Sequence, residues 1–255
     1  MLGKRYQLAI EHDVDVISCS WGALSSEILD NAIQNALTNG RHGKGCVVVF
    51  AAGNDSIDSI SYPANCNDKI LVVGAIDSTG VKATSSNYGT GLDLVAPGVD
   101  ILSTVFNDTV GYKSGTSMAC PHVAGVAALI LERNSELTVD QVNSIICSNT
   151  KKVPNLSNYT ELNSYGSWSE QYGYGLVDAY NAVINTPDTV YIQNDTITGT
   201  RTISAGSIYV GSDVTNTMAY GDVVLGQGDI TLKADYVEIK NSTTVPLGTT
   251  LTIEN

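Results

Sequence analysis

The residues with most chemical promise lie in one run, Gly115-Thr-Ser-Met-Ala-Cys-Pro-His-Val-Ala-Gly-Val-Ala-Ala-Leu129. A serine stands at the mouth of a stretch crowded with alanine and glycine, whose small side chains let a helix approach its neighbours closely. Pro121 suits the first turn, where its missing N–H leaves no bond unmade. The hydroxyl and backbone N–H of Ser117 then sit where a helix dipole favours negative charge. That placement can receive the tetrahedral oxyanion created when the same hydroxyl attacks a carbonyl. The competing reading of an isolated Gly-Thr-Ser is a plain helix cap, since serine is a preferred N-cap residue.

A serine hydroxyl is a poor nucleophile without a base within hydrogen-bond reach, and the chain has 3 histidines. His122 follows Ser117 on the same predicted helix, about 140° round the axis at roughly 100° per residue, so its ring faces elsewhere. His12 precedes the first predicted strand, and His42 lies in Gly40-Arg-His-Gly-Lys-Gly45, the turn entering the second. Both positions are at the edge opposite the carboxyl ends of the strands, where α/β sites form. None of the three is expected to be the base. The Gly40–Gly45 turn is also too short for a phosphate loop, with glycine where Ser or Thr should bind magnesium.

The elements that must hold Ser117 follow from periodicity. Asp15–Ser20, Gly45–Ala51 and Ile70–Ala75 are β-branched or apolar runs that suit parallel strands covered on both faces. Between the first two, Ile28, Leu29, Ala32, Ile33, Ala36 and Leu37 recur at helical spacing, with Ser25 or Ser26 as N-cap. Strand, helix, strand predicts a βαβ unit and an α/β, doubly wound, mostly parallel sheet. Further helices are predicted over Met118–Arg133 and over Val139–Ser148, the latter capped by Thr138. From Pro187 the helical period vanishes, and short alternating strands punctuated by Gly and Asn/Asp remain. The expected organisation is therefore 1–186 as an α/β domain and 187–255 as a small β-rich module, with solenoid-like rungs considered although no strict repeat is visible. The sequence assigns that module no ligand and no aromatic platform.

The run around Ser117 strongly resembles the nucleophile segment of the subtilisin-like serine peptidases, the subtilases. Phe50-Ala-Ala-Gly-Asn54 resembles the family's strand end that presents the oxyanion-hole asparagine, which maps to Asn54; taken alone, Asn54 reads as a turn residue. Val16-Ile-Ser-Cys-Ser-Trp-Gly22 resembles the strand whose end pairs with extended substrate backbone. The resemblance implies that Ser20, Trp21 and Gly22, with Ala51, Ala52 and Gly53, border the pocket for the residue before the scissile bond. It gives Thr116 a supporting hydrogen bond, and Trp21 with small pocket walls suggests preference for a large apolar residue. Tyr62-Pro-Ala64 matches the family's Tyr-Pro-Gly loop with Ala for Gly, which leaves the pocket's depth open. Leu92-Asp-Leu-Val-Ala-Pro-Gly98 and Tyr172-Gly-Tyr-Gly-Leu-Val-Asp-Ala179 match later segments, with Gly98 and Gly173 read as special-angle positions and Asp93 as a surface or capping carboxylate. The resemblance covers roughly Asp13 to Ile184, and the Ser-Trp-Gly and Gly-Lys-Gly variants resemble secreted subtilases of Bacteroidetes-type bacteria.

Subtilases run in the order Asp, His, Ser, and the family's Asp-Ser/Thr-Gly and His-Gly-Thr-His segments are not in this chain. The resemblance thus implies a C-terminal part of the peptidase domain, inert alone, whose missing N-terminal segment is a partner. An unpaired sheet edge would make the isolated chain unstable or aggregating. The alternative is a catalytically inactive pseudo-peptidase used as a surface, binding or structural module. Protein or peptide substrates and an extracellular or cell-surface location are implied by the family. No cofactor and no metal ligand is identifiable, with structural calcium left to the complete domain.

Composition narrows the rest. With 13 Lys and Arg against 26 Asp and Glu, the net charge of −13 opposes nucleic-acid binding. Apolar residues at 43% argue against wholesale disorder. The longest small-or-apolar stretch, Val123–Leu131, is about half of a bilayer crossing, and no signal peptide opens the chain. The 5 cysteines lack metal-ligand spacing and read by default as buried free thiols, with one or two bridges allowed.

Overall fold

The computed structural model describes residues 2–153, 158–216, 218–226, 228–240 and 242–254. They form two compact units. One runs through Leu129 and resumes from Thr138 to Asn185; the other takes Ile130–Leu137 and the chain from Thr186 onward.

The first unit opens with helix α1 (Gly3–Glu11), which the periodicity reading did not anticipate, and strand β1 (Val16–Cys19). Only Tyr6 of α1 is buried, so the apolar signal of this helix is thin. Helix α2 (Glu27–Gly43) follows, leaving helical angles at Gly40, Arg41 and His42, and then β2 (Val47–Ala51) and β3 (Leu71–Ile76). Ser26 occupies the N-cap of α2, but its hydroxyl caps nothing; the Tyr62 hydroxyl instead accepts its N–H at 3.1 Å and donates to its carbonyl at 3.0 Å. With β4 (Leu94–Pro97) the sheet has the order β1-β2-β3-β4, all parallel. Every residue of β2 and β3 is buried, so both faces of the sheet centre are covered, as the uninterrupted apolar runs require.

An antiparallel hairpin of β5 (Ile101–Val105) and β6 (Thr109–Lys113) precedes helix α3 (Thr116–Arg133). Helix α4 (Val139–Ser148) starts at a full capping box between Thr138 and Gln141, which stabilises the first turn reciprocally. A second hairpin, β7 (Glu161–Asn163) with β8 (Gly166–Trp168), leads to α5 (Ala179–Ile184).

One expectation about this unit needs correction. Gly98 has no left-handed backbone; its hydrogen is required because a Cβ would come within 2.6 Å of the Ala75 Cβ and 2.9 Å of the Gly115 carbonyl. Gly173 does have φ +55, and a Cβ there would collide with the Asp93 carbonyl. Of the surface and capping roles read for Asp93, the capping one holds: its Oδ2 accepts the Val72 N–H at 2.7 Å, and loss of water pushes its carboxyl up to about 7. Because the folded value lies above the ordinary 3.8, this group stabilises the fold most below that pH and its contribution is lost as pH rises through about 7. Urea melts between about pH 4 and 8 should show stability falling across this window. Asp93→Asn, which keeps an acceptor for Val72, should flatten that fall; an unchanged slope would contradict the assignment.

The second unit is a three-coil parallel β-solenoid. Its strands β9 (Thr189–Ile192), β10 (Asp195–Thr198), β11 (Arg201–Ser204), β12 (Ser207–Val210), β13 (Val223–Gly226), β14 (Asp229–Lys233), β15 (Tyr236–Ile239), β16 (Thr243–Thr244) and β17 (Thr250–Glu254) follow one another round three faces. The three sheets are β9-β12-β15, β10-β13-β16 and β11-β14-β17, every pair parallel. Thr189 pairs with Ser207, and Ser207 with Tyr236. The coils therefore differ in length, and no strict repeat appears in the sequence. Val190, Ile208, Ile203 and Leu232 point into the core from successive coils. Residues 130–137, read from sequence with the first region, belong here because Asn134 and Ser135 bond to the backbone at Pro187 and Ser204.

On the outer face, the rings of Tyr191 and Tyr209 stack 5.4 Å apart, and Tyr236 lies 5.7 Å from Tyr209. This aligned tyrosine row was not visible in the sequence. Inside the coils, the fully shielded Gln193 donates its amide to the carbonyls of Thr215, Met218 and Ala219 and accepts the Thr215 N–H. Gln193→Leu removes that partner from four backbone groups and should cost about 1–3 kcal/mol. A denaturant melt showing no loss, with amide exchange at Thr215 unchanged, would refute this role.

Candidate active site

Helix α3 begins at Thr116, so Ser117 lies inside its first turn and is not its cap. First-turn N–H groups have no helical acceptor, which leaves that of Ser117 directed outward. Its carbonyl accepts from the Ser20 hydroxyl at 2.9 Å, tying the nucleophile turn to the segment that follows β1.

Asn54 arrives from the other side, three residues beyond the end of β2. Its Oδ1 accepts the Thr116 N–H at 2.9 Å and lies 3.1 Å from the Thr116 hydroxyl. An amide whose oxygen is held by donors has its NH₂ turned the opposite way. Among the described residues the Nδ2 group is thus the free end. Thr116 is fully buried, and its hydroxyl also lies 3.3 Å from the Gly53 carbonyl.

Ser117 and Asn54 line one open cavity of about 320 Å³, together with Ser20, Trp21, Gly22, Ala51, Gly53, Asp55, Ser61 and Thr116. It lies at the carboxyl ends of β1 and β2, where parallel sheets place their sites. The side chain and first-turn backbone of Ser117 meet the Asn54 carboxamide in one recess.

The family model described as "Subtilase family" matches residues 2–175. The chain belongs to the subtilase family. It is 36% identical over 176 residues to a thermophilic serine proteinase of Bacillus sp. (strain AK1), covering 69% of this chain and 39% of that protein. It is 39% identical over 179 residues to subtilisin BL of Lederbergia lenta, covering 70% of this chain and 60% of that protein. The chain therefore spans between 39% and 60% of the length of these two curated relatives. Among solved structures, the prenylagaramide maturation protease PagA matches with TM-score 0.59 at 25% identity, over 73% of this chain and 67% of that one. A protease of Pseudoalteromonas arctica matches with TM-score 0.55 at 34% identity, over 68% of this chain and 51% of that one.

In this subtilase chain one expected wall residue is absent from the cavity. Ala52 is fully shielded, because alternation along extended backbone turns it to the face opposite Ala51 and Gly53. Its N–H donates to the Val73 carbonyl and its own carbonyl accepts from Ser61, so it anchors the strand end to the sheet. Conversely, Asp55 and Ser61 line the cavity without having been singled out from the sequence. The available signals were position alone: Asp55 follows Asn54, and Ser61 precedes the Tyr62–Pro63 bond, which is cis. Trp21 packs its ring edge-on against Phe50, with centroids 5.2 Å apart.

None of the three histidines lines the cavity. The His122 ring bonds the Met118 carbonyl at 2.8 Å on the exposed side of α3, and His42 pairs with Asp13 at 2.9 Å. His12 ends α1 as its C-cap. Cys120, one turn beyond Ser117, is buried against the Val49 carbonyl at 3.4 Å and 3.5 Å from the Ser18 hydroxyl. Burial pushes its thiol up, which keeps it protonated and unreactive. All five cysteines are free, four of them buried. Among the described residues no cluster of three or more His, Cys, Asp or Glu side chains forms a metal-holding group, and no helix is long and apolar enough to cross a membrane.

Proposed function

We propose that this chain carries the nucleophile and oxyanion hole of a secreted or cell-surface serine endopeptidase. Ser117 attacks the peptide carbonyl and forms the acyl-enzyme, while its own N–H and the Asn54 Nδ2 hold the oxyanion. The observation that carries this reading is the shared cavity of Ser117 and Asn54, with the Asn54 amide oriented by Thr116. The proton goes to a histidine, oriented by an aspartate, on a polypeptide segment outside these 255 residues. Two features support that division of labour. No histidine of this chain lines the cavity, and β1 stands at the edge of its sheet among the described residues.

Ser20–Gly22 and Gly53 offer backbone for an extended substrate strand, and Trp21 favours a large apolar residue before the cleaved bond. The same missing histidine favours a second reading for the chain taken alone, an inert scaffold. A fluorophosphonate probe separates the two. It should label the catalytically complete protein at Ser117, and the Ser117→Ala variant should stay unlabelled. A complete, folded protein that resists labelling would leave only the scaffold.

A further inference from the structure

Asn54 sits on an exposed turn, yet its amide must be aimed within a few tenths of an ångström to be useful. What holds the turn is a side chain that the site does not contain. Asn87 is fully buried. Its Oδ1 accepts the Asp55 N–H at 2.8 Å and the Ile57 N–H at 3.4 Å. Its Nδ2 donates to the Ala52 carbonyl at 3.3 Å and the Ser61 hydroxyl at 3.1 Å, and its backbone N–H donates to the Gly53 carbonyl at 3.0 Å. The bonds fall on both flanks of Asn54, on residues 52 and 53 before it and 55 and 57 after it.

The clamp itself is rigidly mounted. Ser86, also fully buried, accepts the Ala75 N–H of β3 at 3.0 Å and donates to the Asn87 carbonyl at 3.1 Å. Gly53 has φ +110, and a Cβ there would collide with the Asn87 amide and the Ser61 hydroxyl. The glycine lets the turn close onto Asn87 without an intervening side chain. Each polar atom of this buried amide is used, so its orientation is fixed in both senses.

Resting on the reading of Asn54 as oxyanion donor, we propose that Asn87 is a positioning residue for catalysis, transmitting the rigidity of β3 to the Asn54 turn. It touches no substrate. Its removal loosens the aim of the Asn54 Nδ2 group, and misplacement of about 1 Å at a reacting centre costs about 10²-fold. The effect should appear in kcat, because the oxyanion exists only in the transition state.

A double-mutant cycle in the catalytically complete protein tests this. Asn87→Ala should lower kcat about 10- to 100-fold in the wild-type background. In an Asn54→Ala background, where nothing remains to be misaimed, the same substitution should lower kcat less than about twofold. Where Asn87→Ala does not fold, Asn87→Asp is read in the same cycle. It keeps an acceptor for Asp55 and Ile57 but sets a carboxylate oxygen against the Ala52 carbonyl, and the same pattern is expected. Equal losses in both backgrounds, or an unchanged kcat, would overturn the role of Asn87 while leaving Asn54 in place. A wild-type protein without activity, or an Asn54→Ala variant as fast as wild type, would overturn the underlying reading and this inference with it.

Discussion

Ser117→Ala should lower the turnover of the catalytically complete protein by about 10⁶, with KM changed less than about twofold. The magnitude is that known for subtilisin, a member of the same family, and is carried over from it. The physical basis is the loss of the hydroxyl proposed to attack the carbonyl. The Ser20 hydroxyl holds the Ser117 carbonyl and not its side chain, so alanine keeps that contact. What survives should be a residual of about 10³–10⁴ over water from substrate binding and the oxyanion donors. Steady-state hydrolysis of a chromogenic peptide measures this. The 255-residue chain alone should show the same low residual, since no histidine lines its cavity. A Ser117→Ala protein with near-normal turnover would place the nucleophile elsewhere and remove the central role given to helix α3.

The second large effect concerns Asn54. Asn54→Ala should reduce kcat by about 10²–10³, again a range known for subtilisin itself and not specific to this chain. In the proposed role the amide donates only to charge that develops during the reaction, so KM should hardly move. The alanine variant also strips the Thr116 N–H of its 2.9 Å acceptor, which mixes a structural loss with the catalytic one. Asn54→Asp separates them. A carboxylate can still accept from Thr116, but it offers the oxyanion a negative oxygen in place of an N–H. Its kcat should fall at least as far as that of the alanine variant. An Asn54→Asp protein retaining most of its turnover would show that the oxyanion is held elsewhere. The labelling rate with a fluorophosphonate gives an independent readout of both variants, since the phosphonyl oxygen occupies the same recess.

Much of this was legible in residue order. Uninterrupted apolar runs announced the buried strands β2 and β3, because a strand covered on both faces tolerates no alternation. Thr138 announced the start of α4 as its N-cap, and the structure adds the reciprocal bond to Gln141 three residues on. The run from Gly115 and the Asn54 turn announced the family. These are local signals, written within a few residues of what they specify.

The remainder depended on contacts between distant parts of the chain. Asn54 and Thr116 are 62 positions apart, and which end of the Asn54 amide faces the cavity is set only when they meet. Asn87 lies in an unremarkable Ser-Ser-Asn-Tyr stretch and gains its role solely from the turn folded over it. Asp93 reads as a surface or capping carboxylate, and only the fold shows that the N–H it caps is that of Val72, 21 positions away. The tyrosine row of the solenoid exists because parallel coils of unequal length bring Tyr191, Tyr209 and Tyr236 into line. Residue order specified the main elements and the family through short-range propensity and pattern. Direction, burial and register arose from long-range packing, where each group's environment is supplied by residues that sequence proximity does not reveal.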